Sequence, residues 1–272
     1  MSNQAGLVRE VAKSLFISEA TLSVQLRILR EADLIPTGGR GKGAYTTTPQ
    51  DAATLVAAAA VSSAVKDTAS ITNSFLTLPL DFHEVRGPGQ GLPRGILGPS
   101  LQDPWPGLSQ QRVLRKFGFG PVPERSSFLS ALTMVVEKLI KNEMFPDVEQ
   151  SDFEFGAELP SSLKYRKSLT VDFYLPLPCA QITYRAERIL TEFLTFGPAD
   201  ARRMGLSLDW YRTILELREM GGSLVQLRSV DALALERIAK AVGEEGLREA
   251  MSPRPSKRTR LEKTLSVDEP EA

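Results

Sequence analysis

The amino-acid sequence predicts an α+β fold, and three features of its 272 residues lead to that class. The N-terminal part has apolar residues at helical spacing, broken once by a glycine stretch. A segment rich in glycine and proline follows, and such density prevents long helices or paired strands. Beyond it, an amphipathic helical pattern is followed by short β-branched and aromatic runs. We therefore expect an N-terminal domain at residues 1–66, a partly ordered connector at 67–127, an α+β domain at 128–250 and a disordered tail at 251–272.

The first element is a pair of helices in "VREVAKSLFISEATLSVQLRI", which fits a helix-turn-helix pattern. Ser18 is placed to cap the second helix by accepting hydrogen bonds from its free backbone N–H groups. Leu22, Leu26 and Leu29 are spaced four and three apart, so they form the buried stripe of that helix. The opposite side faces outward and has small polar side chains at its N-terminal end. Such a helix fits the major groove of DNA, where side chains read base edges.

The candidate DNA-binding residues are Ser18, Glu19, Thr21, Ser23, Val24, Arg27, Arg40 and Lys42. The last two lie in "GGRGKG", which joins two predicted short strands, "LIPT" and "AYTTT". Glycines supply the positive φ of a tight turn and keep the loop slender, which suits a basic tip along DNA phosphates or the minor groove. On its own the stretch is more typical of a solvated turn, and it lacks the GK[ST] ending of a nucleotide-binding loop.

The run "SEATLSVQLRILREADLIPTGGRGKGAYTTTP" resembles winged helix-turn-helix regulators of the arsenic-repressor and multiple-antibiotic-resistance classes. Those regulators share a similar "ATVSxxLxxLxxxGLI" core, a basic wing and an aromatic residue in the second wing strand, here Tyr45. The resemblance covers only the N-terminal part of the chain and implies a DNA-binding regulator, often dimeric. Two residues depart from the pattern: Phe16 stands at the turn position usually held by glycine, and Val24 stands where a basic residue is common.

A further helix is predicted from Pro49, with Thr48 as its N-cap and Asp51 in its first turn. This alanine-rich helix has two alternative roles. It replaces the supporting helix that such folds place before the motif, or its small side chains let two copies approach closely in a dimer. The alanines that would serve the second role are Ala53, Ala57 and Ala60.

The C-terminal half predicts a small antiparallel sheet between amphipathic helices. "SSFLSALTMVVEKLIKN" has the spacing of a helix with one buried face. "DFEFGAEL", "SLTVDFYL", "AQITY" and "ILTEFLTF" predict three or four strands, and alternation places Leu169, Val171, Phe173 and Leu175 on one face. "SLDWYRTILELREM" and "SVDALALERIAKAV" predict two closing helices. We expect this domain to self-associate or to bind a partner or effector.

Composition excludes several classes of protein. The 33 basic and 33 acidic residues give zero net charge, so contact with a polyanion must depend on local patches. A single cysteine, Cys179, and a single histidine, His83, permit neither a disulfide framework nor a Cys/His zinc site. Charges interrupt any signal-peptide core, and the longest small-apolar run is too short to span a bilayer. We expect a soluble, cytoplasmic protein without membrane contact.

These features predict a sequence-selective DNA-binding protein, a transcriptional regulator from a bacterium, phage or mobile element that acts as a homodimer on double-stranded DNA. We expect no enzymatic activity, catalytic residue, metal or cofactor. Asp172, Glu154 and Glu192 lie in or beside predicted strands, but no partner motif accompanies them. The alternative is a phage-type DNA-packaging protein, similar to a small terminase subunit, or another oligomeric structural DNA-binding protein. Ring-shaped oligomers rather than dimers would favour that alternative.

Overall fold

The computed structural model describes residues 4–37, 46–62, 65–86, 118–120, 122–123, 126–147, 167–175, 178–186, 190–197 and 226–251. Its α-helices are α1 (Gln4–Ser14), α2 (Glu19–Glu31), α3 (Pro49–Val61), α4 (Thr68–Leu76), α5 (Phe128–Ile140) and α6 (Ala232–Met251). Its strands are β1 (Leu80–Arg86), β2 (Lys167–Leu175), β3 (Cys179–Ala186), β4 (Leu190–Phe196) and β5 (Gln226–Asp231). Four predicted features lie outside the described residues: the loop tip at 38–43 with the first two residues of the strand predicted after it, the strand at 152–159, the helix at 207–220 and the tail from residue 252.

The helix-turn-helix pattern is confirmed as two helices joined by a short turn. The Ser18 side chain caps α2 by accepting a hydrogen bond from the Thr21 backbone N–H at 3.0 Å. Leu22, Leu26 and Leu29 are all buried, as their spacing predicts. The stripe therefore fixes which side of α2 faces the core and which side faces solvent.

The two strands predicted to flank the loop tip are not seen in the described residues. Residues 34–37 form no strand, and neither do residues 46–48. Asp33 has a positive φ of 57°, and the N–H groups of Leu34 and Ile35 both donate to the Leu29 carbonyl. This segment therefore completes the C-terminal turn of α2 and buries Ile35, instead of extending as the edge of a hairpin.

Helix α3 is the centre of the helical layer. Its predicted cap is confirmed: the Asp51 carboxylate accepts from the Thr48 backbone N–H at 2.8 Å, while the Thr48 hydroxyl accepts from the Asp51 N–H at 3.2 Å. Every residue of α3 except Gln50 is buried, and the helix contacts α1, α4, α5 and α6. Because Ala53, Ala57 and Ala60 are covered by the same chain, the alternative in which they join two copies is wrong.

The sheet has the order β1-β4-β3-β2-β5, and all of its neighbouring strands are antiparallel. Strands β2, β3 and β4 confirm three of the predicted runs. Strand β1 lies in the predicted connector, and β5 occupies the start of the last predicted helix. One face of the sheet packs on the helices through Phe173, whose ring lies 5.9 Å from that of Phe75 and 5.5 Å from that of Phe128.

Helices from both sides of the predicted connector share one core. Helix α6 contacts α1, α3 and α5, and a single cluster of buried side chains runs through all of them. The closest approach is at Gly246, where an added Cβ would lie 2.1 Å from the carbonyl oxygen of Thr47. No helix in the described part of the chain is long and apolar enough to cross a membrane.

Candidate nucleic-acid interface

The N-terminal end of α2 carries a compact set of exposed hydroxyl groups. Ser18 and Thr21 share a hydrogen bond of 2.7 Å between their side-chain oxygens, and the Ser23 hydroxyl donates to the Glu19 carbonyl at 2.7 Å. Whichever of Ser18 and Thr21 donates in their shared bond, each of the three hydroxyls keeps a lone pair or an O–H for a further hydrogen bond. The hydroxyls are therefore held in defined positions on the surface without losing their capacity to bind a polar partner.

The structure brings six of the predicted DNA-binding residues onto one surface. Glu19, Thr21, Ser23 and Arg27 are exposed on α2, Val24 is half-buried beside them, and exposed Ser18 precedes the helix. This surface, from Ser18 to Arg27, is called the α2 face below. Arg40 and Lys42 lie outside the described residues, so the predicted basic loop has no described position.

The charges around the α2 face are accessible and weakly held. Arg27 Nε lies 3.6 Å from Glu31 Oε1, and the two side chains are 69% and 67% exposed. An ion pair this exposed contributes little and is screened by salt, so Arg27 can leave Glu31 for another anion at small cost. Arg9 and Lys13 on α1 are also exposed. Each of these three cations is therefore available to a polyanion.

Phe16 lies in the turn between α1 and α2, at the position where helix-turn-helix motifs usually have glycine. The sequence did not indicate a role for its side chain. Its backbone has a positive φ of 55°, and its side chain is 96% exposed. A bulky residue in the left-handed region is strained, which explains why this turn position usually holds glycine. Because strained backbone positions cluster at functional sites, a strained residue with an exposed ring makes this turn a candidate for a binding role.

A groove of about 560 Å³ lies beside this turn. Its walls come from the turn, the C-terminal end of α3, strand β5 and the start of α6. Its apolar lining includes Leu15, Phe16, Ile17 and Val230, and its polar lining consists of Ser14, Arg228, Ser229 and Asp231. The groove is therefore mostly apolar, with one guanidinium and one carboxylate among its lining groups.

A second polar cluster, centred on Glu192 of β4, has a structural role. Its carboxylate lies 2.6 Å from His83 Nε2 and accepts from the Phe119 backbone N–H at 2.7 Å, while Lys138 Nζ donates to the Gly118 carbonyl at 2.8 Å. Burial raises the pKa of the Glu192 carboxyl, although its hydrogen bonds oppose the shift, and burial lowers the pKa of Lys138. Both carboxylate oxygens are occupied, so the cluster anchors residues 118–120 to the sheet.

Two further polar candidates, Cys179 and Asp172, lie on strands of the sheet. Cys179 is buried, and burial raises the pKa of its thiol to about 12, so the thiol stays protonated at neutral pH. Asp172 accepts a hydrogen bond from Ser229 on the neighbouring strand. The described residues contain no group of three or more His, Cys, Asp or Glu side chains able to hold a metal ion.

Comparisons with protein-family models, curated proteins and solved structures give no match for this chain. The resemblance to winged helix-turn-helix regulators therefore stays a prediction based on the motif. The α2 face has exposed hydroxyls, and three accessible cations, Arg9, Lys13 and Arg27, lie on or near it.

Proposed function

We propose that this chain binds double-stranded DNA sequence-selectively as a transcriptional regulator, with α2 in the major groove. The observation that supports the proposal is that α2 has one buried side and one exposed polar side. Its leucine stripe is buried in the core, while the α2 face is open to solvent along nearly the whole helix. A B-form major groove is wide enough to admit one such helix.

The residues of the α2 face have distinct expected roles. The hydroxyls of Thr21 and Ser23 are suited to base edges, and the half-buried Val24 side chain is suited to a thymine methyl group. Glu19 can accept from a cytosine amino group but repels phosphates, so it favours particular bases over general backbone binding. Arg27, two turns further on, can bind guanine or a phosphate once it leaves Glu31.

The cations around the α2 face would position it on the duplex. Arg9 and Lys13 lie on α1, the helix that crosses the DNA backbone in helix-turn-helix complexes. The first backbone N–H groups of α2 add a partial positive charge beside Ser18. In this proposal Arg40 and Lys42 contact phosphates from the glycine-rich loop.

We also propose that the regulator is a homodimer that recognises two half-sites. Helix-turn-helix dimers place their reading helices about one DNA turn apart, so the preferred sites should be palindromic. Light scattering on the full chain tests the dimer. A larger ring would instead favour the DNA-packaging alternative.

The loop contacts are tested by salt dependence. A double Arg40→Ala, Lys42→Ala variant should weaken binding to all DNA sequences and reduce the slope of log K against log salt by about 2. The matched control is Arg237→Ala with Lys240→Ala, which removes one arginine and one lysine from the exposed side of α6. Equal slopes for both variants and the wild type would show that the loop does not touch DNA.

The α2 face is tested by sequence preference. Selection of bound fragments from a random-sequence library should yield different preferred sequences for the wild type and for Ser23→Ala or Arg27→Ala. The same selection with the α6 double variant should return the wild-type sequence. If all variants select the same sequence, α2 does not read the bases.

A further inference from the structure

We propose that the groove beside the helix-turn-helix turn is a self-association surface, into which a second copy of this chain inserts its Phe16 ring. The proposal rests on an exposed ring and a mostly apolar groove of about 560 Å³ that lie on the same surface. A two-fold symmetric dimer uses the same patch on both copies, so that patch must be complementary to itself. A surface that carries both a protruding side chain and a groove meets this condition.

The exposed apolar side chains of the described residues are concentrated around this groove. Four large apolar side chains are exposed, and three of them belong to segments that line the groove: Phe16 in the turn, Leu227 in β5 and Leu233 at the start of α6. The fourth, Val85, lies on β1, at the opposite edge of the sheet from β5. Because apolar side chains that are exposed together mark an interaction surface, this clustering favours a protein partner at the groove.

The charged groups of the groove are also complementary to a second copy of themselves. The lining contains one guanidinium, Arg228, and one carboxylate, Asp231. Arg228 donates from Nη1 to the Ala60 carbonyl at 2.7 Å, and Asp231 Oδ1 accepts from the Ala234 backbone N–H at 2.8 Å. A guanidinium has five N–H donors and a carboxylate has two oxygens, so each group has the capacity for a further partner.

These charges favour a copy of the chain over a partner with a large charge of one sign. In a two-fold dimer, Arg228 of one copy would bind Asp231 of the other, and symmetry would repeat the pair. A strongly acidic or basic partner would instead meet one like charge for each opposite charge.

The size of the surface predicts a weak dimer. A buried phenylalanine ring contributes about 200 Å² and covers roughly as much of the wall that it contacts, so two exchanged rings bury roughly 800 Å². Leu233 and the rim of the groove bring the total near the roughly 1,000 Å² of the smallest specific interfaces. We therefore expect a dissociation constant of about 10–100 µM without DNA. Below that concentration range the chain is a monomer with its Phe16 ring in water.

This inference rests on the proposed homodimer and specifies where its two copies meet. The alanines of α3 cannot form that contact, because the same chain covers them. Phe16 precedes the α2 face, while Leu227 and Leu233 lie on other elements. The contact therefore uses no residue of the α2 face.

The experiment is sedimentation equilibrium of the full chain without DNA, at protein concentrations from about 1 to 500 µM. We expect the mass to rise from that of one chain to that of two across this range. A mass of one chain at every concentration would overturn the surface. A mass above that of two chains would overturn the two-fold arrangement.

Variants locate the contact. Phe16→Gly should raise the dissociation constant at least about tenfold, because it removes the inserted ring. Leu233→Ser and Asp231→Asn should each raise it about two- to fivefold, and asparagine still accepts from the Ala234 N–H at the cap of α6. The matched control is Val85→Thr, which changes the exposed apolar side chain at the opposite edge of the sheet and should have no effect.

Thermal unfolding of each variant checks that it is folded. A wild-type dissociation constant in both Phe16→Gly and Leu233→Ser would place the dimer contact elsewhere and refute the assignment. Equal weakening by Val85→Thr would show that the association is not specific to the groove, and it would refute the assignment as well.

The results for this surface and for DNA binding can be told apart. Dimerisation that depends on Phe16, in a protein that binds no DNA, would leave the surface standing and count against the proposed function. Sequence-selective DNA binding by a protein whose dimer persists unchanged in Phe16→Gly would refute the surface and leave the proposed function standing.

Discussion

Replacing Phe16 by glycine should stabilise the protein. The left-handed backbone at φ 55° costs a bulky residue about 1–2 kcal/mol. Glycine removes that strain but loses about 0.5–1 kcal/mol through the greater freedom of its unfolded chain. Since the ring is 96% exposed, only about 4% of its roughly 200 Å² of surface is buried. At about 25 cal/mol/Å², losing that buried area costs about 0.2 kcal/mol. The expected net gain is about 0.5 kcal/mol.

The assay is urea and thermal unfolding of the wild type and three variants. Phe16→Gly should raise the melting temperature by about 1–2 °C. Phe16→Ala removes the same ring but keeps a Cβ, so it should give no gain. Asn142→Gly, at φ 56°, should also change little because asparagine tolerates this conformation. A Phe16→Gly protein less stable than the wild type would show that the ring is packed in solution, and the strain argument would be refuted.

Three other predictions concern the core and its charges. Asp51→Ala should lower the free energy of unfolding by about 2 kcal/mol in urea titration, because it removes the buried cap of α3. The control is Asp67→Ala, at an N-cap of α4 that makes no side-chain capping hydrogen bond, and it should cost little. Gly246→Ala should cost about 2–3 kcal/mol, because its Cβ would lie 2.1 Å from a backbone oxygen. Gly243→Ala meets no neighbouring atom and should cost about 1–3 kcal/mol through its backbone alone, since φ 66° with ψ 179° is a conformation essentially restricted to glycine. Burial raises the pKa of Glu192, so its contribution to stability is present below its ordinary value of 4.5 and is lost as pH rises through the folded-state pKa. Glu192→Gln should therefore weaken the pH dependence of the urea midpoint above pH 4.5, the ordinary value for this carboxyl, and an unchanged slope would contradict this reasoning.

The helix caps and the buried stripe of α2 were predicted correctly, because they depend on residues close together in the sequence. The Ser18 cap and the leucine stripe of α2 involve residues within a few positions of one another. The Thr48 and Asp51 cap of α3 spans only three residues. Such features follow from side-chain type and spacing, so the sequence alone was enough to predict them.

The parts of the fold that the sequence did not predict depend on contacts between residues far apart in the chain. "SVDALALERIAK" has helical spacing throughout, yet its first residues pair with β2 and form β5, and Asp231 then caps α6. The contact between His83 and Glu192 joins positions 109 residues apart. The hydrogen bond from Arg228 to the Ala60 carbonyl joins positions 168 residues apart. No periodicity or spacing indicates these contacts.

The contact between α1 and α6 has a consequence for synthesis on the ribosome. At roughly 5–20 residues per second, the partner of the first helix appears roughly 10–50 s after that helix has left the exit tunnel. Until then, the apolar side of α1 that α6 covers stays in water or is held by a chaperone. Pauses late in translation should therefore increase aggregation and proteolysis of the nascent chain more than pauses near its start.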